Sequence, residues 1–232
     1  MAHSAQPTTE TLALVAPQTD RSFLWRRLHS LTGIVPVGLF LLFHLFENMN
    51  ALRGAEAYDA AIAKLAELLP PPYFYFVEVG LILLPLAFHG LYGTYLALEG
   101  SPNLKAYAYR RNYLYVLQRV TGVLVLAFVV YHVVTLRVGL TLRGLGAGVP
   151  GHEGYVGFAD MARAMASPEV LGLYLLGVLS AAFHFGNGLG GFLWTWGVTI
   201  GERSRRVAEW LGWALTAAMA VPMVAILLKF RA

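Results

Sequence analysis

Four histidines lie inside long apolar stretches of the sequence, where ionisable side chains are rare. They are His44, His89, His132 and His184, one in each of four consecutive stretches. Placing an ionisable group in hydrocarbon is costly, so such a residue usually has a function and a partner within the protein. A single histidine is explained equally well by a neutral imidazole bonded to a backbone carbonyl. Four histidines, one per stretch, indicate a shared function.

Depth along the predicted helices sorts these histidines into two pairs. A helix rises 1.5 Å per residue, which places His44 and His132 about 24 and 27 Å from the end where the first helix starts. The second and fourth helices run the other way, so His89 and His184 fall some 6–9 Å from that same end of a core about 30 Å thick. We call His89 and His184 the inner pair, and His44 and His132 the outer pair.

Local sequence repeats in the same pairing. Leu-His-Ser-Leu-Thr-Gly at 28–33 matches Leu-Gln-Arg-Val-Thr-Gly at 117–122, and each Thr-Gly step precedes an outer-pair histidine by nearly the same distance. Phe-His at 88–89 matches Phe-His at 183–184, and Gly93 and Gly188 each follow their histidine by four residues. Small residues also serve close packing of membrane helices. Beside a histidine, we expect these two glycines to leave room for a flat ring.

Two histidines at one depth on facing helices can supply both axial ligands of a haem. With both iron positions filled, oxygen has no site, which favours electron transfer over oxygen chemistry. A bare metal ion would require further carboxylate or imidazole ligands at that depth. A proton relay usually includes Asp or Glu within the spans, and Glu78 lies too near the outer end to serve alone.

The elements that carry these histidines are predicted to cross a membrane. Of the 232 residues, 57% are hydrophobic and 13% are charged, against about 45–50% and about 25% in soluble domains. About 20 apolar residues cross a bilayer. The predicted fold is an all-α polytopic membrane protein, a bundle of five transmembrane helices in one domain, 1–232, with a polar N-terminal tail at 1–20 that carries no targeting signal. The predicted spans are 28–48, 73–98, 114–138, 170–199 and 210–228, and their charged residues are Glu47, Glu78, Arg119 and Arg137.

The absence of cysteine and the placement of charged residues exclude several classes of function. The chain has no cysteine, which excludes disulfides, thiolate catalysis, iron–sulfur ligation and a covalently attached c-type haem. The pI is about 9.4, but the basic residues lie in short loops, a pattern that suits membrane topology and not nucleic-acid binding. The acid-poor basic clusters fall on the N-terminal side of the spans. The positive-inside rule therefore predicts a cytoplasmic N-terminus and an exterior C-terminus.

The chain resembles the single five-helix, di-haem cytochrome b membrane anchors of succinate:quinone oxidoreductases, a class that includes succinate dehydrogenases and fumarate reductases. The resemblance runs from Phe23 to about Phe230 and is greatest for the succinate dehydrogenase branch of Gram-positive type. The motifs that carry it are Arg26–Gly33, Arg53–Ala57, Leu117–Gly122, Phe183–Leu189 and Thr195–Thr199.

The resemblance implies two b haems in a bacterial cytoplasmic membrane. His89 and His184 would ligate the inner haem, and His44 and His132 the outer haem. It also implies a flavoprotein subunit and an iron–sulfur subunit on the cytoplasmic face, with the succinate site on another chain. Electrons would pass from the iron–sulfur subunit to quinone, by resemblance menaquinone, near the exterior side. Some fumarate reductases place a glutamate where this chain has Ala182, which favours succinate oxidation over the reverse direction, from quinol to fumarate.

Quinone reduction also requires protons. Glu47, one turn from His44, and Glu67, just before the second span, are the candidates, and either is explained as well by a solvated boundary residue. Glu67 falls roughly where some relatives of this family hold a catalytic carboxylate.

Four polar residues near the predicted inner face are candidates for contacts to haem propionates or to the iron–sulfur subunit. They are Arg27, His29, Ser30 and Arg119. Arg27 is also explained as a cation that extends to the interface and sets topology. Arg119 lies within a span, which favours a propionate contact.

Three other functions stay open. A different di-haem subunit, of a nitrate reductase or hydrogenase, would lack one histidine in each of four consecutive spans. A haem-free anchor would be colourless. A small transporter would have helices broken at the midplane in repeated halves.

Overall fold

In this computed structural model the described residues are 20–70, 73–100, 104–105, 108–149, 151–152 and 154–232. The first 19 residues of the predicted polar tail lie outside them. The regular structure of the described residues is helical, and five helices are long and apolar enough to cross a membrane, which confirms the predicted fold class. These spans, numbered first to fifth, are Ser22–Arg53, Tyr73–Glu99, Arg110–Leu140, Pro168–Thr195 and Glu202–Arg231.

Most spans are longer than their apolar stretches. The first begins six residues before Leu28 and includes Arg26 and Arg27, because long cationic side chains can extend to the interface while their stems stay apolar. The fourth starts at Pro168, where Ser167 caps the helix by accepting a hydrogen bond from the backbone N–H of Val170 at 3.3 Å. It ends at Thr195, before the predicted boundary at 199.

Three spans depart from regular α-helix. The first divides into Asp20–Ile34 and Pro36–Asn48, because the ring nitrogen of Pro36 carries no hydrogen to donate, and it ends in the 3₁₀ turn Met49–Arg53. The second comprises Tyr73–Tyr75, the π-helix Phe76–Leu83 and the α-helix Leu84–Glu99. The third is α-helical over Arg110–His132 and continues as the π-helix Val133–Leu142. Both π-helices lie toward the end of the bundle that carries Arg231, which we call the C-side; the opposite end is the N-side.

Two shorter helices, the first loop helix Ala55–Leu68 and the second loop helix Phe158–Met165, lie between spans on the C-side. Two carboxylates fix the backbone there. Asp160 is 2% exposed and accepts hydrogen bonds from the backbone N–H groups of Ala147, Gly148 and Gly157 at 2.7, 3.0 and 3.2 Å. Asp59 accepts from the N–H of Phe158 at 2.8 Å. This packing was not anticipated from the sequence.

The best-packed hydrophobic core lies on the C-side, where Tyr58, Met165, Tyr174 and Phe230 are buried together. The fourth span runs through the bundle against the third and fifth spans. It meets the fifth backbone to backbone, because a Cβ on Gly186 would lie 2.5 Å from the carbonyl oxygen of Gly212. On the N-side the same bundle leaves a cavity, described next.

Candidate functional site

The structure brings His89 and His184 together on the N-side. Their ring centroids are 6.2 Å apart and the planes are at 85°. Nδ1 of His89 lies 2.9 Å from the backbone carbonyl oxygen of His29, and Nδ1 of His184 lies 3.0 Å from that of Gln118. A carbonyl accepts hydrogen bonds and donates none, so each Nδ1 carries the ring proton and donates it. Nε2 of each ring is thereby left as a metal-binding nitrogen, the arrangement usual for histidine ligands.

The carbonyls that hold the inner pair lie at matching positions of the repeated motif. His29 and Gln118 are both followed three residues later by threonine, Thr32 and Thr121. These hydroxyl groups donate to the carbonyls four residues earlier at 2.9 and 2.7 Å. They also lie 3.0 and 3.3 Å from the carbonyls of His29 and Gln118. The Gln118 side chain also donates to the carbonyl of His184 at 2.9 Å. The repeat is therefore a structural device that orients the inner histidines from the neighbouring span.

The glycine of each motif leaves room for a histidine ring. A Cβ on Gly33 would overlap the ring of His89, and a Cβ on Gly122 would lie 2.8 Å from Cε1 of His184. Ordinary contact begins at about 3.4 Å, so neither position accepts a side chain without moving the ring.

Gly93 and Gly188 receive side chains from neighbouring spans. A Cβ on Gly93 would lie 2.8 Å from Cε1 of His29, and one on Gly188 would lie 3.2 Å from Nε2 of Gln118. Helices pack by receiving side chains from a neighbour, so these glycines accommodate residues of the first and third spans.

A cavity of about 540 Å³ surrounds the inner pair, within the usual size range of ligand pockets, roughly 300–1,000 Å³. Its lining includes His29, Ser30, Arg119, Thr199 and Arg205 besides the inner pair and its glycines. Among the described residues, five buried polar atoms of this lining have no hydrogen-bond partner: Nδ1 of His29, Nη1 of Arg119, Oγ1 of Thr199, Nε of Arg205 and Oε1 of Glu209. The Glu209 carboxylate forms an ion pair with Arg110. Two guanidinium groups facing an apolar cavity fit a ligand that carries carboxylates.

The four predicted inner-face residues differ in position. The ring of His29 stacks on that of His89, with centroids 4.2 Å apart and planes at 8°. Ser30 and Arg119 line the cavity, and the Arg119 guanidinium lies 3.9 Å from the centroid of the Tyr115 ring. Arg27 lies against the rings of Phe23 and Trp196, at 4.8 and 5.0 Å, and does not line the cavity.

The outer pair meets on the C-side of the cavity. The ring centroids of His44 and His132 are 6.0 Å apart and the planes are at 79°. Phe40 lies 5.4 Å from His44 and Phe128 lies 5.8 Å from His132, so the surroundings are aromatic. Nδ1 of His132 is 3.3 Å from the hydroxyl of Tyr174.

Both separations fit two imidazoles on opposite sides of one metal ion. A metal–imidazole bond is about 2.0 Å and the ring nitrogen lies roughly 1.1 Å from the ring centre, so the two centroids should be about 6 Å apart. The observed values are 6.2 and 6.0 Å. At the inner pair, the glycine contacts, the cavity and the buried guanidinium groups also fit a haem with its propionates.

The two candidate proton donors for quinone lie on the C-side. Glu47 is half-buried at the end of the first span. Burial raises the pKa of Tyr58 above its usual range, and the nearby charge of Glu47 adds to the rise. Glu67 is exposed on the first loop helix. Of the two, Glu47 is the one embedded in the packed C-side.

Glu78 has a partner that the sequence did not indicate. Its carboxylate accepts hydrogen bonds from Nε and Nη2 of Arg137 at 2.5 and 2.9 Å, and both side chains are about one-fifth exposed. The guanidinium also lies 5.2 Å from the ring centroid of Phe74. The pair joins the two π-helical segments of the second and third spans.

Sequence reasoning missed Thr199, Arg205 and Tyr174 as site residues. The sequence indicated Arg205 only as a cation that sets the membrane topology. In the structure it lies three residues after the start of the fifth span and lines the cavity. Tyr174 precedes His184 by ten residues, about 15 Å along the helix, so depth arithmetic alone would have placed it near the outer pair.

Comparison with known proteins agrees with these features. No protein-family model matches the chain. The chain is 44% identical over 192 residues to the succinate dehydrogenase cytochrome b558 subunit of Bacillus subtilis (strain 168), which covers 83% of this chain and 89% of that protein. Identity of this extent, together with five apolar helices and paired histidines, shows that the chain belongs to the family of succinate dehydrogenase cytochrome b membrane-anchor subunits.

Proposed function

We propose that this anchor holds two b haems, one between His89 and His184 and one between His44 and His132, and connects an iron–sulfur subunit to quinone. This proposal depends mainly on the separation of the ring centroids within each histidine pair, 6.2 and 6.0 Å, which would let the two rings of a pair hold one haem iron between them. A haem held by both histidines of a pair would supply one-electron transfer. The relative's name, cytochrome b558 subunit, supports the b-type haem.

The chain's own residues orient and shield these sites. The carbonyls of His29 and Gln118 fix the tautomer and rotation of the inner histidines, and Gly33 and Gly122 give the rings space. Arg119 and Arg205 would bind the propionates, since their buried nitrogens lack acceptors among the described residues. His29 and Ser30 line the same cavity, and Arg27 lies beside it.

Quinone would be reduced on the C-side, beside the outer pair. Reduction to quinol takes up two electrons and two protons, and an ionisable group at the boundary would transfer those protons from water. Glu47 is half-buried near Tyr58 and Glu67 is exposed at the surface. We propose that Glu67 takes protons from the exterior water and that Glu47 is the closer donor to the quinone. Menaquinone is the proposed acceptor, from the resemblance of the sequence to menaquinone-reducing relatives.

The orientation follows from charge. The N-side carries Arg26, Arg110 and Arg203, which are exposed, and this side is proposed to face the cytoplasm. The flavoprotein and iron–sulfur subunits would bind there, next to the inner pair. Electrons then move toward the exterior, a direction that an inside-negative potential favours by about 2.3 kcal/mol per charge per 100 mV.

Succinate oxidation is the proposed direction. The position that holds a glutamate in some fumarate reductases is Ala182, which is fully buried. Met219 and Met223 pack against it, and Thr216 donates to its carbonyl at 3.3 Å. This apolar setting offers no proton-carrying group where the reverse reaction of those enzymes has one.

Single histidine replacements test the haem assignment. His89→Ala and His184→Ala should each remove the same haem, and His44→Ala and His132→Ala should each remove the other. His152→Ala, in a loop on the C-side, is the matched control and should retain both. The readout is the low-temperature spectrum of each purified variant. If an inner-pair variant and an outer-pair variant lost the same haem and kept the other one, the pairing would be refuted.

A further inference from the structure

One outer histidine has a phenol hydroxyl beside its Nδ1, whereas the side-chain contact of the inner pair is the Thr121 hydroxyl, 3.5 Å from Nδ1 of His184. Nδ1 of His132 lies 3.3 Å from the hydroxyl of Tyr174, whereas Nδ1 of His89 and of His184 face backbone carbonyls. Tyr174 is 3% exposed, and its ring centroid is 5.1 Å from that of Phe128. The tyrosine hydroxyl is thus held against the ring nitrogen within a packed aromatic cluster.

The Tyr174 side chain has a second hydroxyl neighbour. The hydroxyl of Thr135 interacts with that side chain and donates to the backbone carbonyl of Tyr131 at 2.8 Å. When Nε2 of His132 binds a metal, Nδ1 carries the ring proton and is a donor. A hydrogen-bond chain would then run from His132 through Tyr174 and Thr135 to the Tyr131 carbonyl.

Within the part of the chain that the structure describes, His44 has no hydroxyl partner from a neighbouring span. The internal repeat places Val79, ten residues before His89, where Tyr174 stands ten residues before His184. Valine has no polar group. The polar neighbour of His44 is Asn48 of its own helix, whose amide nitrogen donates to the His44 carbonyl at 2.7 Å and lies 3.4 Å from Nδ1 of the His44 ring. The two outer ligands are therefore held differently.

We propose that Tyr174 is a positioning residue of the outer haem site, which accepts the Nδ1–H of His132 and increases the electron donation of that ligand to iron. The inference rests on the proposed function, because it takes His132 as an axial ligand. A hydrogen bond at the non-ligating nitrogen raises ligand basicity, which stabilises ferric over ferrous iron. Removal of the phenol oxygen should therefore raise the midpoint potential of the outer haem.

The test uses Tyr174→Phe in the holoprotein, because phenylalanine keeps the ring and removes the hydroxyl. Loss of an outer-shell partner typically changes metal binding by 10–100-fold. A tenfold change in the ratio of ferric to ferrous binding raises the midpoint potential by about 59 mV for one electron. Redox titration followed by optical and electron paramagnetic resonance spectra should show this rise at the outer haem and none at the inner haem.

Tyr131→Phe is the matched control, because its carbonyl and not its hydroxyl belongs to the chain, and it should shift neither haem. Unchanged potentials in Tyr174→Phe, with both haems bound, would overturn the inference and leave the proposed function intact. An equal shift in Tyr131→Phe would also overturn it, since packing would then be the cause. Retention of the outer haem in His132→Ala would instead refute the proposed function.

A second variant covers the case in which Tyr174→Phe does not assemble. Thr135→Val removes the acceptor of the Tyr174 hydroxyl and should raise the outer potential in the same direction by a smaller amount. Thr135→Ser restores a hydroxyl and should return the potential to the wild-type value. Equal potentials in the valine and serine variants would contradict the hydrogen-bond chain.

Discussion

Replacing Gly122 by alanine should weaken the inner haem site and leave the outer site intact. The new Cβ would lie 2.8 Å from Cε1 of His184, so the ring must move by about 0.6 Å to reach ordinary contact. The ring cannot move freely, because its Nδ1 donates to the carbonyl of Gln118 at 3.0 Å. Overpacking of this kind costs about 1–3 kcal/mol, which corresponds to about 5- to 150-fold weaker binding of the inner haem.

The assay is haem content and redox titration of purified Gly122→Ala. The outer pair should be unaffected, since Gly122 lies about 15 Å along the helix from His132. Gly172→Ala in the fourth span is the matched control, because no atom lies within 4 Å of its added Cβ. A Gly122→Ala protein with two haems and wild-type potentials would refute the role of this glycine as the space for the His184 ring.

Three further predictions concern the C-side. Asp160→Ala removes the acceptor of three backbone N–H groups, which should cost about 2–3 kcal/mol. The backbone at Ala147, Gly148 and Gly157 should then be cleaved by protease added outside sealed vesicles, and cleavage restricted to inverted vesicles would contradict the orientation. Glu78→Gln should lower the free energy of unfolding by about 2–3 kcal/mol, below the usual range for a broken buried pair because this one is about one-fifth exposed. Thermal unfolding measures that change. The control is Arg26→Gln, which breaks the half-exposed ion pair of Arg26 with Glu99. Equal stability of the two variants would argue against a buried ion pair. Glu67→Gln and Glu47→Gln should each lower quinone turnover with both haem spectra unchanged, and full turnover in both variants would remove these carboxyl groups from the mechanism.

The number of spans could be predicted because a bilayer imposes both length and polarity on a crossing helix. Their ends could not, since helices continue through Arg26 at one end and Arg53 at the other, where the side chains leave the apolar layer. The two π-helices were also missed. A π-helix has about one residue more per turn than an α-helix, and a uniformly apolar stretch shows no periodic pattern that would reveal this difference. The first loop helix was missed because Ala55–Leu68 is short and less apolar than a span.

The structure brings together the histidine pairs that depth arithmetic identified, since depth depends only on residue count. The rotation of each helix is set by packing, which the sequence does not display directly. For that reason the sequence did not indicate that Gly93 receives the ring of His29 from the first span. Tyr174 resembles any other aromatic residue of a span until its hydroxyl is placed beside His132.

The most direct test of the central claim is the dithionite-reduced minus oxidised spectrum of the purified chain, with haem quantified per polypeptide. The account predicts two non-covalent, low-spin b haems per chain. One haem would mean that one of the two histidine pairs is wrongly assigned. No haem, in protein made with an adequate haem supply, would contradict the proposed electron-transfer function.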